Sequence, residues 1–117
     1  MFVSVKGVQG QAKSICAIKG SSVDLPCSAQ NHTSNMKWFT VHWDGYKYVL
    51  SELSADGNHV KFNMSEETRP TLTIKDLTES DAKLYCCRES AENPQDCWKS
   101  GIYLRVTGTV FVTNVLL

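Results

Sequence analysis

The sequence predicts an all-β protein, built as a sandwich or a barrel, and three observations support this fold class. Short runs of alternating apolar and polar residues recur about every 8 to 12 residues. Clusters of Gly, Asn, Asp and Ser separate these runs, as turns separate strands. No segment of useful length has helical periodicity. The 117 residues are enough for a single domain with its own core.

The alternating runs define the predicted strands. In chain order these strands cover 22–27, 36–41, 46–50, 60–64, 72–74, 84–88 and 101–106. In the first strand Val23, Leu25 and Cys27 share one face, which indicates a half-buried strand. An Asp-Gly pair between the second and third strands is a strong hairpin signal. The last two strands predict another hairpin around a loop at 89–95.

Charge and motif content exclude several classes of function. Twelve Lys and Arg residues balance 12 Asp and Glu residues, so the formal net charge is zero. Nucleic-acid binding usually needs a surplus of basic residues, and none is present. The sequence contains no Gly-rich phosphate loop, no Ser/His/Asp order with supporting context and no nucleophilic cysteine motif. We therefore expect no nucleic-acid partner, no enzymatic activity and no cofactor.

Five cysteines and two glycosylation sequons favour a protein of the secretory pathway. The sequons predict N-glycosylation at Asn31 and Asn63. Zinc binding is the alternative use of the cysteines. It is disfavoured because the histidines lie far apart in sequence and Cys86 and Cys87 are adjacent, which does not match the usual ligand spacing. We expect disulfides and no metal site.

One order of residues identifies a family resemblance. Cys27, Trp38 and the motif Asp81-x-x-x-Tyr85-x-Cys87 follow one another along the chain. This order resembles the signature of the immunoglobulin superfamily. The resemblance implies a two-sheet antiparallel sandwich of the V-set type with Greek-key topology. It also implies a disulfide between Cys27 and Cys87, Trp38 packed on that bond, and a corner hydrogen bond from Tyr85.

Further segments extend the resemblance and also limit it. The segments 20–25, 72–77 and 101–106 each resemble their family counterparts. The segment 14–23 resembles the first domains of bony-fish leukocyte receptors, including their siglec-like and diversified innate immune families. The segment 98–101 lacks the first glycine of a Phe-Gly-x-Gly joining sequence, which disfavours a rearranging antigen receptor. Such domains usually pair an arginine with the aspartate at Asp81, and either His59 or Lys61 occupies that place here.

The resemblance covers 11–107, which we predict to be the V-type domain. Residues 1–10 are interpreted as the remainder of a secretory signal or as an artificial start. Residues 108–117 are interpreted as a stalk, a truncated segment or a terminal strand, because a membrane span needs about 20 apolar residues. We therefore expect contact with a membrane only through an anchor outside this sequence.

The other three cysteines predict a second disulfide and one unpaired thiol. With Cys87 facing the core, Cys86 faces outward, because side chains alternate along a strand. Cys86 and Cys97 flank the last hairpin loop on what we expect to be neighbouring strands, at distances compatible with a disulfide. This bond would stiffen the loop. Cys16 is left either free or bonded to another chain or to a following domain.

The outward sheet face carries the predicted binding residues. Aromatic and basic side chains supply them, since aromatic side chains are enriched at interfaces. The candidates are Arg88, Trp98, Phe39, Tyr46 and Tyr48, with Trp43 and the loops at 31–35 and 90–96 as further contacts. The resemblance implies a cell-surface immune-type receptor whose partner is a protein ligand or another immunoglobulin domain, including a homodimer.

A lectin is the alternative function. In siglecs an arginine at the place that matches Asp81-x-x-x-Tyr85-x-x-Arg88 binds the carboxylate of sialic acid, and an aromatic residue on the last strand packs on the sugar. Arg88 and Trp98 resemble that pair, and the guanidinium fork suits a carboxylate. The alternative partner is therefore a sialylated glycan.

Overall fold

The computed structural model describes residues 13–28, 35–63 and 69–108, which form two β-sheets. The strands are β1 (Lys13–Ile18), β2 (Val23–Pro26), β3 (Lys37–Trp43), β4 (Tyr48–Glu52), β5 (Val60–Asn63), β6 (Thr71–Ile74), β7 (Leu84–Arg88) and β8 (Ile102–Thr107). Short 3₁₀-helices occupy Glu79–Asp81 and Pro94–Cys97. The predicted all-β sandwich of two sheets is confirmed.

The eight strands are divided between two sheets. The five-stranded sheet has the order β1-β8-β7-β3-β4, and the three-stranded sheet has the order β2-β6-β5. The strand pairs are antiparallel except for β1 and β8, which run parallel. The strands predicted from alternation begin only at residue 22, so β1 is an addition to them. This edge strand packs only Ile15 and Ala17 against the core.

The turn between β3 and β4 is longer than the Asp-Gly signal suggested. Oδ1 of Asp44 accepts hydrogen bonds from the backbone N–H groups of Tyr46 and Lys47, both at 2.8 Å. Gly45 has a φ of 93°, which L side chains rarely adopt. These bonds extend the turn to Lys47, so β4 begins at Tyr48 rather than at residue 46. Tyr46 therefore lies in the turn and not on a strand.

The core is centred on a disulfide between the sheets. Cys27, next to β2, is bonded to Cys87 on β7, with their Cα atoms 5.3 Å apart. Trp38 is the register partner of Cys87 on β3 and is only 1% exposed. The surrounding cluster draws side chains from both sheets, including Leu25, Leu72, Ile74, Tyr85, Ile102 and Leu104.

A hydrogen-bonded corner precedes β7. The Tyr85 hydroxyl donates a 2.6 Å hydrogen bond to the backbone oxygen of Asp81. Burial raises the pKa of Tyr85, so this hydroxyl keeps its proton. Nε2 of His59 lies 2.9 Å from Oδ1 of Asp81, so His59 and not Lys61 occupies the place that the family gives to arginine. Lys61 lies beside Lys75, which lowers the pKa of Lys61.

The pairing of His59 with Asp81 predicts a pH-dependent stability. The hydrogen bond to Asp81 raises the pKa of His59 against the opposing effect of burial, and the carboxylates of Asp81, Asp56 and Asp76 raise it further. The stabilisation is complete below about pH 6.5, where the unfolded chain also carries the proton, and is lost as the pH rises through the higher folded pKa. Because the imidazole is 36% exposed, solvent screening limits the effect to about 1 kcal/mol or less.

Urea unfolding at pH 5.5 and pH 8.5 tests this prediction. We expect the wild type to lose more unfolding free energy between these values than the His59→Gln variant, which cannot gain the proton. The His59→Arg variant should keep a charged pair with Asp81 at both pH values, because arginine stays protonated. Equal pH dependence in the wild type and in His59→Gln would contradict the prediction.

Candidate binding face

The outer face of the five-stranded sheet carries a second apolar cluster. Phe39 pairs in register with Cys86, and Val41 pairs with Leu84, so these four side chains share one face. They point away from the main core because Trp38 and Cys87, their neighbours in sequence, point into it. All four are nevertheless buried. Another part of the chain must therefore cover this face.

The covering segment is 89–100, which we call the strap. Ala91, Cys97 and Trp98 of the strap pack against the outer-face cluster. A disulfide joins Cys97 to Cys86 on β7, with their Cα atoms 5.6 Å apart. The strap is thereby bonded covalently to the sheet that it covers.

The disulfide predicted between Cys86 and Cys97 is present, but the prediction that these residues lie on neighbouring strands is wrong. Cys97 lies in the 3₁₀-helix Pro94–Cys97, and β8 begins only at Ile102. The bond forms because the strap folds back over the sheet, and not because two strands lie side by side.

Local hydrogen bonds give the strap a defined conformation. Oδ2 of Asp96 accepts the backbone N–H groups of Glu92 at 2.8 Å and Asn93 at 3.2 Å. The bond from Glu92 is the main reason that the pKa of Asp96 is lowered. Nε of Arg88 donates to the backbone oxygen of Ser90 at 3.1 Å. These hydrogen bonds hold the strap in a defined conformation at Ser90 and between Glu92 and Asp96.

Phe39 was predicted to be a binding residue, but its side chain is buried in the structure. Its side chain is 5% exposed because it lies in the cluster beneath the strap. The prediction that Phe39 contacts a ligand directly is therefore wrong. Its outward direction on β3 was correct, but alternation along a strand cannot reveal what packs on top.

The structure brings three aromatic rings together at the edge of this face. The rings of Trp43 and Tyr48 pack edge to face with centroids 4.9 Å apart, and Tyr48 packs in the same manner on Trp98 at 5.1 Å. Trp43 is 57% exposed and Tyr48 is 48% exposed, and Tyr46 in the adjoining turn is 85% exposed. We call these four residues, Trp43, Tyr46, Tyr48 and Trp98, the aromatic ridge.

Tyr103 is a further exposed aromatic residue of the outer face, and it is not among the binding residues predicted from the sequence. It lies on β8, separated from β4 by β7 and β3. The signal that could have found it is the alternation of β8, in which Ile102 and Leu104 are buried on the other face. Tyr103 therefore stands apart from the aromatic ridge.

Arg88 faces outward at the end of β7, as the alternation predicts, and is partly buried. Its guanidinium binds the Ser90 carbonyl and interacts electrostatically with the Asp96 carboxylate, whose pKa it helps to lower. Trp98 is directed to Tyr48 instead. The predicted pair of Arg88 and Trp98 is thus divided between two local clusters.

The remaining predicted positions are spread over the domain. Cys16 is an exposed thiol on β1, an edge of the five-stranded sheet. Asn63 is exposed at the end of β5, on the other sheet. Asn31 and residues 32–34 of its loop lie outside the described residues, as do 1–10 and 109–117.

Within the described ranges, no group of three or more His, Cys, Asp or Glu side chains is arranged to hold a metal ion. The same residues include no helix that is long and apolar enough to cross a membrane.

Comparison with known proteins agrees with this architecture. The family model of the immunoglobulin V-set domain matches residues 10–107, so the chain belongs to the immunoglobulin V-set family. A search of curated proteins finds no match. Among solved structures, a marsupial T cell receptor is similar, with a TM-score of 0.60 and 19% identity over 86% of this chain. This chain spans about half, 51%, of that receptor chain.

Gly101, at the junction of the strap with β8, is expected to be sensitive to substitution because the space around it is filled. A Cβ added at the buried Gly101 would lie 2.6 Å from Cδ1 of Leu84 and 2.7 Å from the backbone oxygen of Cys97. We expect Gly101→Ala to lower the free energy of unfolding by about 1–3 kcal/mol because the strap has to shift. At Gly108, the matched control, the nearest atom is Cδ of Lys19 at 4.0 Å. Urea unfolding should separate the two variants, and equal stabilities would contradict the prediction.

Proposed function

We propose that this domain is the recognition module of a cell-surface immune-type receptor and binds a protein ligand or another immunoglobulin domain through the aromatic ridge. The observation that carries the proposal is the row of contacting rings formed by Trp43, Tyr48 and Trp98, with Tyr46 exposed beside it. Exposed aromatic groups of this kind are typical of interaction sites, where they contribute most of the binding energy.

The rigidity of the aromatic ridge supports a role in recognition. Trp43 and Tyr48 are register partners on β3 and β4, and Trp98 belongs to a strap that is bonded to the sheet by a disulfide. Side chains that are ordered before contact lose less conformational entropy on binding. The ridge offers contact area but no nucleophile with an adjacent base, which fits recognition rather than catalysis.

The cell surface is the location that the covalent structure favours. The described chain holds two disulfides, and such bonds persist in oxidising compartments. The exposed thiol of Cys16 on an edge strand fits a bond to a second chain. A homodimer is included in the proposal. In it the strap and ridge, rather than the apolar cluster beneath them, form the contact.

A cell-staining experiment tests the proposed protein ligand. Fluorescent tetramers of the full chain are applied to leukocytes from the source species before and after treatment with protease or sialidase. We expect protease, and not sialidase, to remove the staining. Tyr46→Ala and Trp43→Ala should each reduce it about tenfold or more, since aromatic hot spots contribute about 2 kcal/mol or more.

Tyr103→Ala is the matched control, because Tyr103 is exposed on the same sheet but outside the aromatic ridge. It should leave the staining unchanged. Equal loss in all three variants, or no loss in the ridge variants, would overturn the role of the ridge.

The lectin alternative depends on Arg88. This residue is on the outer face, and the Ser90 carbonyl orients its guanidinium, which is the feature that favours the alternative. Asp96 counts against it, because its carboxylate already interacts with Arg88 and a sialic acid would have to compete with it.

We therefore expect a glycan array to show no sialoside signal that depends on Arg88. The wild type, Arg88→Ala and the control Arg105→Ala, which alters another outward arginine on β8, should give the same pattern. A sialoside signal that Arg88→Ala removes and Arg105→Ala retains would establish the lectin instead.

A further inference from the structure

Strand β1 forms an open edge of the five-stranded sheet within the described residues. It pairs with β8 on one side, and no described strand pairs with its other side. The strand order places β1 and β4 at opposite edges of this sheet, about 20 Å apart. The aromatic ridge includes Tyr48 of β4, so the edge of β1 is a separate feature of the surface.

The hydrogen bonds to β8 determine which backbone groups of β1 are left for a partner. The backbone N–H groups of Lys13 and Lys19 donate to backbone oxygens of the segment 101–107, at 3.1 and 2.6 Å. In a parallel ladder alternate residues of a strand bond to the same neighbour, so the odd-numbered residues of β1 face β8. The N–H and C=O groups of Ser14 and Cys16 therefore point to the open edge.

We propose that the edge of β1 binds an extended segment of a protein partner as an additional strand, with acidic side chains of that segment opposite Lys13 and Lys19. Strand addition at an open edge is a common mode of peptide recognition, in which main-chain hydrogen bonds contribute affinity and side chains contribute specificity. The side chains of Ser14 and Cys16 are small and exposed, so they leave room for such a strand.

Two lysines give the edge its charge. Lys13 and Lys19 are both exposed, and neither forms an ion pair within the part of the chain that the structure describes. They lie six positions apart, at the two ends of β1. An added strand with carboxylates at the same spacing brings an anion to each cation. The edge is therefore complementary to a strand with an acidic residue at each end.

The same charges disfavour a second copy of this chain at this edge. In an antiparallel pair of β1 strands centred on Cys16, Lys13 of each copy would lie opposite Lys19 of the other. Like charges directly opposite each other destabilise a strand pair, and lysines on edge strands oppose self-association. An acidic strand from a different protein gains from the charges that repel a second copy.

The two faces of β1 predict the side chains between the acidic ends. Ile15 and Ala17 are half-buried and pack against the core, while Ser14, Cys16 and Ile18 are exposed on the outer face. Residues that lie opposite each other in a sheet share a face. We therefore expect apolar side chains opposite Ile15 and Ala17, alternating with small polar ones.

Hydrogen exchange in the presence of a designed peptide tests the edge without the natural ligand. The ¹⁵N-labelled full chain is titrated with acetyl-Glu-Thr-Val-Thr-Val-Thr-Glu-amide, which matches the spacing of Lys13 and Lys19 in either strand direction. We expect saturable binding in the millimolar range. The amides of Ser14 and Cys16 should exchange more slowly as they gain partners, and the amide of Ala17, which faces β8, should not change.

Two control peptides separate the charges from the backbone pairing. Replacing both glutamates by glutamine should weaken binding about fivefold, because two exposed ion pairs are lost. Replacing the central threonine by proline should abolish the slower exchange, because proline removes a backbone donor and interrupts a ladder.

Matched variants of the chain identify the lysines that are responsible. Lys13→Gln and Lys19→Gln should each weaken the acidic peptide about two- to threefold and leave the glutamine peptide unaffected. Lys61→Gln, which removes an exposed lysine from β5 of the other sheet, should have no effect.

The proposal would be overturned by equal binding of the acidic and glutamine peptides, by slower exchange with the proline peptide, or by unchanged binding in both lysine variants. Slow exchange of Ser14 and Cys16 without peptide would also overturn it. If that exchange slows further as the protein concentration rises, the occupant is a second copy, and if it does not, the chain itself covers the edge. The ridge variants measure the proposed function at the opposite edge, so failure at one site leaves the result at the other intact.

Discussion

The disulfide between Cys27 and Cys87 holds the two sheets together and determines which side chains of β7 face the core. With Cys87 turned inward beside Trp38, its neighbours Cys86 and Arg88 must face outward, because side chains alternate along a strand. In the chain-entropy model a bond that closes a loop of this length contributes about 4 kcal/mol, a large part of the stability of a small domain. The composition of the outer face depends on this orientation.

The second disulfide determines what the outer face presents. Without the strap, Phe39, Val41 and Leu84 would form an exposed apolar patch, which favours indiscriminate association. The bond between Cys86 and Cys97 holds the strap over this patch and places Trp98 against Tyr48. The strap therefore buries the apolar cluster on the outer face and completes the aromatic ridge.

The arrangement of the domain leaves the aromatic ridge open to a partner. The ridge lies where β3 ends and β4 begins. Asn63, a predicted glycosylation site, is exposed on β5 of the other sheet. A glycan attached there would extend from the three-stranded sheet, so it would leave the ridge accessible.

Alternation along the chain was enough to predict the all-β class and the faces of the strands, because alternation is local and reports the direction of each side chain. The order of Cys27, Trp38 and Cys87 determined the family in the same way, because it depends only on position along the chain. The covering of Phe39 by the strap and the contact of Trp98 with Tyr48 became visible only in the folded domain. Burial and ring packing depend on segments that are distant in sequence, and no local pattern records where those segments pack.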